Sequence, residues 1–245
     1  MSNYGGSTLG PSVLPGGALA APIVFFEDFL VGYTSPAGTA SGEADPTGKF
    51  SPVPDRGDWL YSFDEGGGDP TIQDNADGGF VKFHCDGNSG DRSQIQLNGE
   101  SFLLEPGRRF TWQARLKWDV FTGDSFIGMS TATTNVLGTK PTDGIFGFQF
   151  TATSALEYYA DVAGGSAPVT PSASFTLPAD TFVTLSFHYD GVRKIHMIAN
   201  GAPLLLTTVN IPINQYMSPI FAVQSNGAEQ GMTIDYVYIQ NDRKN

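Results

Sequence analysis

The chain has 245 residues, a net charge of -12, one cysteine, and only 16% charged residues against 30 glycines and 16 prolines. So acidic a surface repels nucleic-acid backbones, so nucleic acid is not an expected partner. One cysteine, Cys85, excludes an intrachain disulfide, and no apolar run approaches the ~20 residues that cross a bilayer, so no membrane partner is expected.

In chain order, the first segment stands apart. Residues 1–22 hold Gly, Pro, Ser and Ala and no charged side chain. Alone, such a segment buries too little surface to offset its ordering entropy. It reads as an extended arm that lies against its own domain or a neighbouring subunit, with Leu9, Val13, Leu14, Leu19 and Ile23 as anchors. The first basic residue is Lys49, so an N-terminal secretory signal is not expected, and synthesis and assembly in a reducing cytoplasm are.

From residue 23 to residue 245 a single β-sandwich domain is expected, beginning with IVFFEDFLV. Its strongest signal is RFTWQARLKWDV, Arg109 to Val120. Phe110, Trp112, Ala114, Leu116, Trp118 and Val120 share one parity, and Thr111, Gln113, Arg115, Lys117 and Asp119 share the other. That is a half-buried strand, and two Trp and a Phe on one face imply a thick core between two sheets. GFVKFHC (79–85), SQIQL (93–97), SFIGMST (125–131), IFGFQF (145–150), ALEYYADV (155–162), PLLLTTV (203–209), IFAVQS (220–225) and MTIDYVYIQ (232–240) continue the series. INQYM (213–217) reads as a single helical turn. About a dozen strands with no crossover helices predict an all-β fold, an antiparallel two-sheet jelly-roll sandwich.

VTLSFHYDGVRKIHMIANG (183–201) brings two histidines together. Val183, Leu185, Phe187 and Tyr189 share parity with Ile195, Met197 and Ala199, so both strands face one core only if an odd-length loop joins them. A three-residue Asp190-Gly191-Val192 loop pairs Phe187 with Ile195 and leaves His188 and His196 as diagonal neighbours on the polar face. A tightly held structural or catalytic metal needs three or four converging protein ligands, so this reads as a hairpin, with Asn200-Gly201 as the next turn.

The cation candidate is CDGNSGDR (85–92), where Asp86, Asn88 and Asp91 offer the oxygen ligands calcium prefers, although the same residues are ordinary turn formers. No catalytic residues and no obligatory cofactor are expected. Glu157 and Asp161 on one strand stand about 13 Å apart, beyond the about 5–9.5 Å of glycosidase carboxylate pairs. Tyr159, between them on the polar face, is either a stacking contact for a glycan or a ring covered by a neighbouring loop or subunit.

Taken in order, FFEDF, GGFVKF, QIQLNGESFLLEPGRRFTWQARLKW, SFIGMSTATT, DGIFGFQF, TLPADTFVTLSFHYDG, IANG and IDYVYIQNDR are similar to the concanavalin A-like (laminin G-like) jelly-roll proteins of tailed-bacteriophage virions, over roughly residues 24–243. The resemblance implies a non-enzymatic capsid decoration or cement protein on the capsid exterior. Its partners would be the major capsid protein and neighbouring copies of itself as a homo-oligomer. The alternative reading is a carbohydrate-binding module or adhesin for a host-surface glycan, followed by a polysaccharide hydrolase or lyase. The calcium and sugar ligands of lectins with this fold do not carry over residue by residue.

Overall fold

A computed structural model describes residues 22–29, 47–50, 59–63, 68–75, 78–120, 122–133, 135–138, 141, 143–151, 156–162, 175–178, 180–208 and 210–242. The strands are β1 (Ile23–Glu27), β2 (Thr47–Phe50), β3 (Trp59–Phe63), β4 (Gly68–Asn75), β5 (Gly78–Cys85), β6 (Arg92–Leu97), β7 (Phe102–Leu103) and β8 (Phe110–Val120). They continue with β9 (Asp124–Ser130), β10 (Asp143–Phe150), β11 (Leu156–Val162), β12 (Val183–Tyr189), β13 (Ile195–Ala199), β14 (Ala202–Thr207), β15 (Tyr216–Gln224) and β16 (Gln230–Asn241). No helix occurs among the described residues.

They form two antiparallel sheets. The front sheet runs β14-β13-β12-β8-β16-β5-β4, with β1 also on β16; the back sheet runs β11-β10-β9-β15-β6-β3-β2, with β7 on β15. This is the expected antiparallel two-sheet sandwich. Between the sheets, the apolar parity of β8 meets aromatics from β10, β12 and β15. Trp112 stacks on Phe187 at 4.9 Å and an interplanar angle of 2°, with Phe148 at 6.5 Å and Phe221 at 6.1 Å across the sandwich. Trp118 sits edge-on to Phe150 at 5.0 Å and donates its indole N–H to Ser125 Oγ at 3.0 Å. Cys85 is buried in this core, and burial pushes its thiol up to about 11, so it behaves as a small apolar residue.

Several elements differ from the sequence reading. β2, β3, β4 and β7 were not anticipated. In β3, Trp59, Tyr61, Ser62 and Phe63 are all buried, so no alternation marks it. Residues 213–217 do not make a helical turn: Asn214 takes φ 63°, and β15 starts at Tyr216, paired with Leu103. Pro219 lies inside β15, where that strand changes partner on one edge from β7 to β6; a residue without an N–H disrupts a ladder least at such a junction.

The β12–β13 loop has odd length, as the core parity requires, but it spans 190–194 rather than three residues. Tyr189 pairs with Ile195, Phe187 with Met197, and His188 directly with His196. The longer loop is held by Asp190, whose Oδ1 accepts the amides of Val192 (2.7 Å), Arg193 (2.9 Å) and Lys194 (3.0 Å). Gly191 takes φ 80° beside the Arg108 backbone. The Asn200-Gly201 turn is present, both residues at positive φ and Ala199 paired with Ala202. Of the arm, Leu9, Val13, Leu14 and Leu19 lie outside the described residues; Ile23 opens β1, pairs with Asn241, and is 44% exposed.

Gly128 and Gly147 face one another between β9 and β10. A Cβ on Gly147 would stand 2.3 Å from the Ile127 carbonyl oxygen. Gly147→Ala is expected to lower stability by about 1–3 kcal/mol, read as a reduced urea midpoint with an unchanged slope.

Candidate functional site

A sandwich has two outer faces, and here they differ. The back sheet's outer face is sealed in its middle by the chain that follows β9. Gln96, 2% exposed, donates from Nε2 to the Ser130 carbonyl (3.1 Å), the Thr131 carbonyl (3.0 Å) and Ser218 Oγ (3.1 Å), and its Oε1 accepts the Thr133 amide at 3.1 Å. Gln94 donates to the Thr133 carbonyl at 2.6 Å and accepts the Val136 amide at 2.9 Å. Two buried amides thus replace the backbone partners this segment lacks. Beneath it, Phe126, Val136, Ile145, Tyr159, Ile220 and Ala222 form a second, smaller core.

Tyr159 is therefore not a free stacking surface. It is 8% exposed, edge-on to Phe126 at 6.4 Å, and packed in that second core under the covering segment. Its parity was read correctly, but the face it points to is occupied. The side chain of Asp161 is not among those described.

Among the described residues, no segment lies across the front sheet's outer face. The second parity of β8 places Gln113, Arg115 and Lys117 there, all half-buried. A bulge in β16 between Ile234 and Tyr236 sets two residues against one and brings Asp235 and Tyr236 both toward this face. Gln113 Nε2 donates to Tyr236 Oη at 2.5 Å, and Tyr238 Oη donates to Gln240 Oε1 at 2.6 Å. Phe26 of β1, 57% exposed, lies 5.9 Å from the Tyr236 ring. Further along, Phe80 and Phe182 meet at 5.4 Å, and the Arg115 guanidinium lies 4.3 Å over the Phe182 ring.

Charges on this face cancel locally. Lys82 pairs with Asp119 at 2.8 Å, Lys117 with Asp180 at 2.5 Å, and Arg115 with Asp235. The hydrogen bond from Lys117 holds the Asp180 carboxyl below its usual range and raises the lysine in turn. Such exposed pairs add little stability. Their consequence is a locally neutral face on a protein of charge -12.

At the β12–β13 end of the same face, His188 and His196 stand ring to ring at 6.3 Å, directly opposed rather than diagonal. Thr111 Oγ1 lies 2.9 Å from His188 Nδ1. Burial, then the neighbouring His196 and Arg109, depress the His188 pKa. Below about pH 6.5 the unfolded chain then binds more protons than the folded one, so this histidine's stability contribution is full above that pH and is lost as pH falls. Urea unfolding at pH 7.5 and pH 5.5 is expected to show a smaller acid loss in His188→Asn than in the parent.

The Asp86, Asn88 and Asp91 loop closes on itself. Asn88 Nδ2 stands between the two carboxylates, 3.2 Å from Asp86 Oδ1 and 3.1 Å from Asp91 Oδ2. The hydrogen bond with Asp91, then those from Asn88, hold the Asp86 carboxyl below its usual range. An amide donor occupies the point where a cation would need an oxygen, and among the described residues no group of three or more His, Cys, Asp or Glu gathers as for a metal.

The face itself was half legible. The outward parity of β8 was read from the sequence; Phe26, Phe80, Phe182, Tyr236 and Tyr238 were not assembled with it. The bulge at Asp235 breaks the parity of β16, and strand order decides which aromatics become neighbours.

The sequence matches no protein-family model and no curated protein. Solved structures match in fold. The carbohydrate recognition domain of Emp47p superposes with a TM-score of 0.54 at 14% identity, over 78% of this chain and 90% of that domain. That of Emp46p, in a metal-free form, gives 0.51 at 12% identity, over 74% and 87%. An alginate lyase, AlyC3, aligns at 0.49 and 9% identity over 67% and 75%, a level from which no chemistry follows. The likeness to the two carbohydrate recognition domains places the chain in the concanavalin A-like fold.

Gln96→Leu is of roughly similar size but leaves the Thr133 amide and three acceptors without their Gln96 partner. A loss of about 1–3 kcal/mol is expected, with faster amide exchange confined to residues 131–138.

Proposed function

We propose that this protein is a non-catalytic, lectin-like carbohydrate-binding module whose ligand lies on the outer face of the front sheet. One observation carries the reading. That face presents exposed or half-exposed aromatic rings, Phe26 with Tyr236 and Phe80 with Phe182, beside side-chain amides and hydroxyls, while the opposite face is sealed by the protein's own chain. Rings offer the C–H faces of a sugar a flat apolar surface, and amides and hydroxyls orient its hydroxyl groups. The fold shared with two carbohydrate recognition domains supports the reading.

The module is proposed as a binder rather than an enzyme because the carboxylates of this face, Asp119, Asp180 and Asp235, each hold a lysine or arginine. A general acid or base needs a carboxyl poised for proton exchange, and ion pairing opposes that. The capsid-decoration reading leans on the uncharged arm, whose residues 1–21 lie outside the described residues, so no feature of the fold favours it over glycan binding.

The test is a glycan array followed by titration of the best polysaccharide. Phe26→Ser and Tyr236→Ala are expected to weaken binding roughly tenfold or more, about 1.4 kcal/mol each, with little change in Tm for the exposed Phe26. No binding across neutral and charged glycans, or binding indifferent to both substitutions, would overturn the proposal.

A further inference from the structure

We propose that His188 and His196 form a two-imidazole site for a borderline transition-metal cation, Cu2+ in preference to Zn2+, on the outer face of the front sheet. The two residues are direct cross-strand partners, and their rings stand 6.3 Å apart between centres. A metal–nitrogen bond of about 2.0–2.1 Å, plus about 1.1 Å from nitrogen to ring centre, puts a shared ion about 3.2 Å from each centre. Two such rings are then about 5.2 Å apart at a tetrahedral N–metal–N angle and about 6.4 Å apart at a linear one. The observed spacing of 6.3 Å lies within that span, near its linear end.

The surroundings favour coordination. Thr111 Oγ1 at 2.9 Å from His188 Nδ1 accepts the Nδ1–H of one tautomer, which leaves the Nε2 lone pair for a metal; metal-bound histidines are commonly oriented in this way. The nearby carboxylates are engaged: Asp190 Oδ1 accepts three amides of its own loop, and Asp242 Oδ2 accepts the Arg109 amide at 3.3 Å. No third His, Cys, Asp or Glu joins the pair among the described residues, so water completes the shell. Two imidazoles with open positions suit Cu2+ first, by ligand type and by the general affinity order of divalent metals. The inference is independent of the glycan reading, because the pair lies at the β12–β13 end of the sheet and uses different residues.

The chain has three histidines, and His84 serves as the internal control. Full-length protein is titrated with Cu2+ by calorimetry and electron paramagnetic resonance, and the unsubstituted protein with Zn2+ while the histidine ring resonances are followed. One high-affinity equivalent with a two-nitrogen signature is expected, together with Zn2+-dependent shifts of the His188 and His196 rings only. His196→Gln, at an exposed position, should weaken Cu2+ binding roughly tenfold or more by removing the chelating partner, and His84→Gln should leave it unchanged. Unaltered binding in His196→Gln, loss in His84→Gln, or no shift of the His188 and His196 rings in the parent protein would overturn the proposal. The ring measurement needs no variant, so it decides the matter even if a substitution impairs folding.

Discussion

Trp112 lies flat on Phe187 at the centre of the sandwich, and most of the functional geometry depends on that contact. Phe146 packs 4.5 Å from the same Phe187 ring, and Phe148 and Phe221 close in on Trp112 or Phe187 from the back sheet. Rings of this size bury well over 100 Å² each and set how the sheets meet. With Trp112 committed inward, strand periodicity sends Gln113 and Arg115 outward on the same strand. A one-residue slip of β8 would exchange these sets, burying Arg115 and Lys117 and exposing two tryptophans. The core therefore selects the composition of the surface.

The two outer faces are then finished differently. Behind the back sheet, Gln94 and Gln96 draw the chain after β9 across the strands by hydrogen bonds from buried side chains to backbone. The apolar residues trapped beneath, Tyr159 and Phe126 among them, become a second core. On the front sheet, side chains bond to one another instead: Gln113 to Tyr236 across neighbouring strands, Tyr238 to Gln240 along β16, and three lysine or arginine ion pairs. Among the described residues no segment lies over them, and a partly exposed surface of aromatic and polar side chains results. A face of that kind matches the amphipathic sugar chain proposed above as its ligand.

How much of this can be read in the sequence differs by feature. The alternation of RFTWQARLKWDV states which residues of β8 face inward, because period two is the signature of a half-buried strand. The hairpin loop had to be of odd length for the same reason, but parity is blind to a shift of two. The difference between three and five residues comes from Asp190 capping three amides with one carboxylate oxygen, and it moves His196 from a diagonal to a direct partner of His188. Tyr159 is the converse case. Its outward parity is right, and only the placement of residues 131–133 and 135–138 reveals that its side of the sheet is covered. Strand WLYSF escaped notice because it is buried nearly throughout, and the Phe26–Tyr236 neighbourhood arises from strand order together with a bulge, neither of which leaves a periodic trace.

The central contrast is that, among the described residues, the front sheet's outer face is uncovered and the back sheet's is covered. Hydroxyl-radical footprinting of the native protein with residue-level mass spectrometry tests it without a ligand. Phe26 and Tyr236 should be oxidised readily, while Tyr159 and Phe126 should react only after unfolding. Oxidation of Tyr159 as fast as Tyr236 in the folded protein would mean that the segment at 131–138 does not seal the back sheet, and the choice of the front face would fall with it.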